Sequence, residues 1–159
     1  MEWLVIALMV VLFAEVTIGV VFRAAGHALV WYDEIASVLL AWLTYYAAAL
    51  AALKRAHIGF PGLVRSLPRS ARVAAVIAAE ALTIAFFALL AWVGYSVLEV
   101  LATDHLVSLP EVSVRFTQSV IPIGAVLYII AELMILPQVI AEARGEGGPG
   151  ASSLAEKLH

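Results

Sequence analysis

Four apolar runs, each long enough to cross a lipid bilayer, leave this chain few folds to choose from. They cover residues 3–22, 35–53, 73–98 and 116–139. A helix rising 1.5 Å per residue needs about 20 residues to traverse the hydrocarbon. Lipid offers backbone amides no partner, so each run is predicted to be α-helical. Alanine-rich stretches at 47–52 and 74–81 favour helix and let neighbouring backbones approach closely. No strand-like alternation competes.

Composition agrees. Of 159 residues, 64% are hydrophobic and 13% charged, against roughly 25% charged in ordinary globular domains. A soluble chain of this size cannot hide so much apolar surface in one core. The fold class is therefore all-α integral membrane, with a four-helix transmembrane domain over 1–140 and a Gly/Pro-rich, flexible cytoplasmic tail over 141–159. Cysteine is absent, which excludes disulfides and thiolate metal sites, and a net charge of −3 gives no sign of a nucleic-acid partner. The first run lacks a basic n-region and a small-residue cleavage site, and it contains Glu15, so it reads as a retained helix rather than a signal peptide.

The basic residues set the orientation. With four spans, the N-terminus, the middle loop and the C-terminal tail share one side. That side holds Lys54, Arg55, Arg65, Arg69, Arg72, Arg144 and Lys157, and the other holds Arg23 and Arg115. The excess predicts cytoplasmic termini. In the middle loop, Phe60, Leu63, Val64 and Leu67 recur at helical spacing between Pro61 and Pro68. Either this is a short interfacial helix, with Arg65, Arg69 and Arg72 on lipid phosphates, or a solvated turn whose arginines only set topology.

Three spans contain one acid each, Glu15, Glu80 and Glu132. An acid at a helix centre costs roughly 2.5–3.5 kcal/mol on insertion scales, which makes each a functional candidate. Glu80 and Glu132 lie at similar depth, about 10 Å from the predicted cytoplasmic ends, where antiparallel helices would bring them together. Three readings stand: proton or coupling-ion sites, contacts with a partner subunit's polar groups, or protonated acids bonded to neighbouring helices. A single acid per helix makes a poor cation cage, which favours the partner reading. His27, His57, His105 and His159 are scattered, with no metalloprotease, nucleophile-elbow or phosphate-loop motif, so neither catalysis nor a cofactor is expected. Secondary transporters build their sites from broken helices, and here Pro122-Ile123-Gly124 is the one candidate interruption.

The membrane borders between 23 and 58 carry a pattern. Arg23 ends span one, Trp31 and Glu34 begin span two, Trp42 lies a third of the way in, and Arg55, His57 and Ile58 follow its far end. With Leu67-Pro68 and Pro122-Ile123-Gly124, this order and spacing resembles the small membrane subunit of TRAP transporters, the DctQ-like family, over roughly 11–136. The sequence departs from the family where Gly59-Phe60-Pro61 follows His-Ile and where Tyr46-Ala47-Ala48 replaces a small-residue pair.

The resemblance implies a multi-pass protein of the bacterial inner membrane, serving as a fixed scaffold in a tripartite system. Its implied partners are a large multi-span subunit, which moves an organic acid such as a dicarboxylate, sialic acid or sugar acid with a sodium gradient, and, transiently, a periplasmic substrate-binding protein. Partner or structural contacts would then fall on Arg23, Trp31, Asp33, Glu34, Trp42, Arg55, His57, Glu15, Glu80 and Glu132. Each border residue also has a plainer role. Trp31 and Trp42 suit interfacial or packing positions, Asp33 and Glu34 suit the N-terminus of span two, and Arg23 is placed to pair with Glu34 across the linker. Two rivals remain at this stage: a small proton-coupled exporter using Glu15, and a membrane enzyme of lipid metabolism, which lacks a nucleophile or metal set.

Overall fold

A computed structural model describes residues 1–54 and 68–145. Four helices in it are long and apolar enough to cross a membrane. We number the helices α1 (Glu2–Ala24), α2 (Tyr32–Leu53), α3 (Arg69–Val100), α4 (Val114–Gln118) and α5 (Val120–Ala143), with a 3-10 turn at Leu101–Thr103 after α3. The helices overrun the apolar runs, except that α2 ends with its run at Leu53. A helix keeps satisfying its own backbone as it emerges into the interface, so it stops at a turn signal rather than at the last apolar residue. For α1 that signal is Gly26, at φ 81°, with its amide bonded to the Arg23 carbonyl and the His27 amide to the Phe22 carbonyl. This is a Schellman closure, which requires the left-handed conformation glycine adopts freely. Within the helices, Thr17, Ser37, Thr44 and Ser96 return their hydroxyls to the carbonyl four residues back, so these polar groups need no outside partner.

The helices stand as an open row in the order α1, α2, α5, α3, since α1 packs chiefly on α2, α2 on α5, and α5 on α3. The hub is α5, which packs on both α2 and α3 and holds most of the buried residues of the row. Lipid supplies no hydrophobic drive between helices, so close packing of small residues has to hold the row together. Ala49 and Ala52 on α2 are fully buried against Tyr128 and Ala131 of α5, and Phe87 of α3 stacks on the Tyr128 ring at 3.7 Å between centroids. Gly124 of α5 faces Tyr45 of α2, Gly94 of α3 faces Ile121 and Pro122, and Gly19 of α1 faces Tyr32. The alanine run at 47–52 thus serves close approach as expected. Much of the run at 74–81 is exposed, because among the described residues α3 has a long-helix neighbour on one side only.

Span four is interrupted where the sequence places Pro122. The helix breaks at Ser119, between α4 and α5. Pro122 has no amide to give the carbonyl four residues back, which weakens the ladder there. Trp42 of α2 braces the break, its ring N–H donating to the Thr117 carbonyl at 2.9 Å. The middle-loop residues Arg55, His57 and Arg65, most of the predicted interfacial helix, and the tail from 146 onward lie outside the described residues.

Candidate functional site

The α1–α2 hairpin is tied at both ends. At one end Arg23 reaches Asp33 at 3.4 Å and lies 5.0 Å over the Tyr32 ring. At the other, Lys54 meets Glu2 at 2.5 Å. The expected Arg23–Glu34 pair is therefore replaced by Arg23–Asp33. Neighbouring positions on a helix point about 100° apart, so only one of two adjacent acids can face the α1 terminus. Both ion pairs are largely exposed, so water and salt screen them. They orient the hairpin more than they hold it. The Glu2–Lys54 tie was not anticipated, although the near-equal lengths of α1 and α2 already imply that their far termini meet.

Glu34 turns the other way, to the loop between α3 and α4. One carboxyl oxygen accepts the Val107 amide at 3.0 Å, and the other accepts the Ser108 amide at 2.9 Å and the Ser108 hydroxyl. Neither Asp33 nor Glu34 caps α2 by a side-chain hydrogen bond, since the cap position is Trp31. Both still place negative charge in the first turn, where the helix dipole favours it. The loop that Glu34 grips is itself folded, with His105 bridged to Ser113, Leu106 bonded to Val112, and Val114 bonded to Asp104. Its tip presents Val107, 93% exposed. No local pattern around 107–108 points at a carboxylate more than 70 residues away.

Trp42 is engaged inside the chain. Besides bracing Thr117, its ring packs on Phe116 at 5.4 Å and Tyr46 at 6.2 Å. Trp31 is more open and lines, with Glu15, Tyr32 and Leu29, a cavity of about 280 Å³ between α1 and the start of α2. Both Glu15 carboxyl oxygens are covered, and no hydrogen-bond partner reaches them among the described residues.

The remaining acids sit on the far half of the row. Glu132 is buried and accepts the Tyr128 hydroxyl one turn away, and Glu80 is close enough for its charge to act on the same tyrosine. Antiparallel α3 and α5 thus bring the two acids to a shared polar centre at Tyr128. The sequence reading had not included Tyr128, although its four-residue spacing from Glu132 was visible. Arg69, with Ser70, Val73 and Arg144, lines an open recess where α3 begins and α5 ends, and Arg72 lies one turn further along α3.

The geometry therefore divides in two. One half is the α2–α5–α3 wall, joined by small-residue packing and the Tyr128 stack. The other is an α1 face carrying an acid without a partner. A family model described as "Tripartite ATP-independent periplasmic transporters, DctQ component" matches residues 8–141. No curated protein matches the chain.

Proposed function

Because the chain belongs to the DctQ component family of the tripartite ATP-independent periplasmic transporters, we propose that it is the non-catalytic small subunit that holds a large multi-span permease subunit in place. The observation that carries this reading is the open row. Among the described residues the four helices stand side by side and enclose no lumen, whereas the outer faces of α1 and α3 are broad and apolar. Such a wall suits a fixed support beside a moving subunit, and the substrate path in this reading belongs to that larger partner.

The reading extends to orientation and setting. The Lys54 and Arg144 end lies in the cytoplasm and the Arg23 end in the periplasm, following the excess of basic residues on the first side. The membrane is the bacterial inner membrane, the cargo an organic acid, and the driving ion sodium. Arg65, Arg69 and Arg72 meet phospholipid headgroups, and Arg55 and His57 stand at the cytoplasmic border. The folded loop at 104–113 and the start of α2 meet the substrate-binding protein transiently. The exporter alternative has no support, since the family match is to a component of a multi-subunit system.

Expression from the native membrane tests this. In mild detergent the chain should carry a large integral subunit with it in equal amounts. Reconstituted alone, it should move neither a C4-dicarboxylate nor a sialic acid. Sodium-driven uptake by vesicles holding this chain alone would overturn the reading.

A further inference from the structure

Among the described residues, Glu15 is the one acid whose carboxyl oxygens are both covered and left without a hydrogen-bond partner. It lies eight residues before Arg23, about 12 Å along the helix from that terminus. Resting on the reading of the chain as the small subunit, we infer that the cavity beside Glu15 receives a hydrogen-bond-donating side chain from a transmembrane helix of the large subunit.

Four observations converge. A covered carboxyl without a donor is costly in either protonation state, so a native assembly is expected to satisfy it. Arg23, the nearest arginine in sequence, is already taken by Asp33 and the Tyr32 ring. The cavity holds about 280 Å³, and its walls are mostly apolar, from Val11, Ala14, Ile18 and Leu29, with Glu15 the one charged residue among them. It therefore suits a side chain with an apolar stem and a single donor at its tip. Finally, α1 is the end of the row, packed chiefly on α2, with Val11 and Ile18 exposed on the same face as Glu15.

Other occupants fit less well. A bound cation needs several oxygen ligands, and among the residues that line the cavity Glu15 supplies the one carboxyl. A lipid amine belongs at the headgroups, and Glu15 lies two turns deeper than Arg23. A partner helix brings both what the apolar walls need and what the acid needs, and hydrogen bonds between membrane helices are an established use of such residues.

The test uses the complex co-expressed in its own membrane. A photo-crosslinking amino acid at Val11 or Ile18 should label the large subunit. Glu15→Leu keeps the size of the side chain and inserts readily, yet should lower recovery of the large subunit about fivefold, the scale of one interhelical hydrogen bond. Glu15→Gln retains an acceptor and should stay within about twofold of the unaltered chain. Equal loss in both variants supports the site with a cationic donor. Full recovery with Glu15→Leu overturns the inference, as does labelling of lipid alone from both positions, even though the two subunits still co-purify. Failure of the unaltered chain to carry any large subunit overturns the underlying reading as well.

Discussion

Replacing Gly124 with alanine should destabilise the isolated subunit by about 1–3 kcal/mol, the usual cost of overpacking a close contact. Replacing it with leucine should stop the row from forming. A Cβ at this position would stand 2.7 Å from the Tyr45 Cβ and 3.0 and 3.1 Å from two atoms of its ring. The nearest obstacle is fixed to the α2 backbone, so no rotation of the tyrosine relieves it. The helices themselves have to separate, which strips Ala49 and Ala52 from Tyr128 and Ala131. Thermal unfolding in detergent, followed by helix signal and by size-exclusion profile, reads the effect. Tyr45→Ala should fail to rescue Gly124→Ala, because it keeps the offending Cβ, whereas Tyr45→Gly should restore much of the loss. Rescue by alanine would show that the ring, not the backbone approach, sets the limit. Ala79→Leu, on the exposed side of α3, should leave the transition unmoved.

Glu34→Ala should release the loop between α3 and α4 while leaving the four spans in place. One carboxylate gathers two backbone amides and a hydroxyl from Val107 and Ser108. Hydrogen bonds to a charged acceptor are among the stronger ones in proteins, and three share this one. Amide exchange at Val107 and Ser108 should accelerate at least about tenfold, since these donors then have water as their partner. Exchange in the middle of α2 and α5 should be unchanged. Glu34→Gln should fall between, because an amide presents one acceptor and turns a donor toward another donor. Unchanged exchange in Glu34→Ala would mean that the short bridge between His105 and Ser113 holds the loop unaided. In the proposed assembly this variant should also weaken any contact made through the loop tip at Val107.

Much of the fold is legible in the sequence because membrane helices advertise themselves. The four runs, the hairpin between 3 and 53, and the break near Pro122 follow from length, charge and proline chemistry. The order of the helices does not. A span surrounded by lipid is apolar on every face, so no amphipathic stripe separates the buried side of α5 from the exposed side of α3. The small residues that mark the seams, Gly124 and Ala131 on one side and Ala49 and Ala52 on the other, resemble those that face outward at 74–81. At the borders, the charged residues were visible but their partners were not. Asp33 and Glu34 are adjacent in sequence and diverge in space, one to α1 and one to a distant loop. Glu15 stood out from the start as an acid in lipid, and the cavity adds what composition cannot, the shape of the space beside it.

A chain whose helices stand in the order α1, α2, α5, α3 can be made as two hairpins. Each pairs helices consecutive along the chain, so each can enter the bilayer as a unit during synthesis and pack without waiting for the other. On that route the join between α2 and α5 comes last, since it links residues such as Trp42 and Thr117, 75 positions apart. Assembly of the wall therefore turns on one lateral encounter within the plane of the membrane. The tryptophan that braces the broken helix is also a latch that closes only once both hairpins are in place.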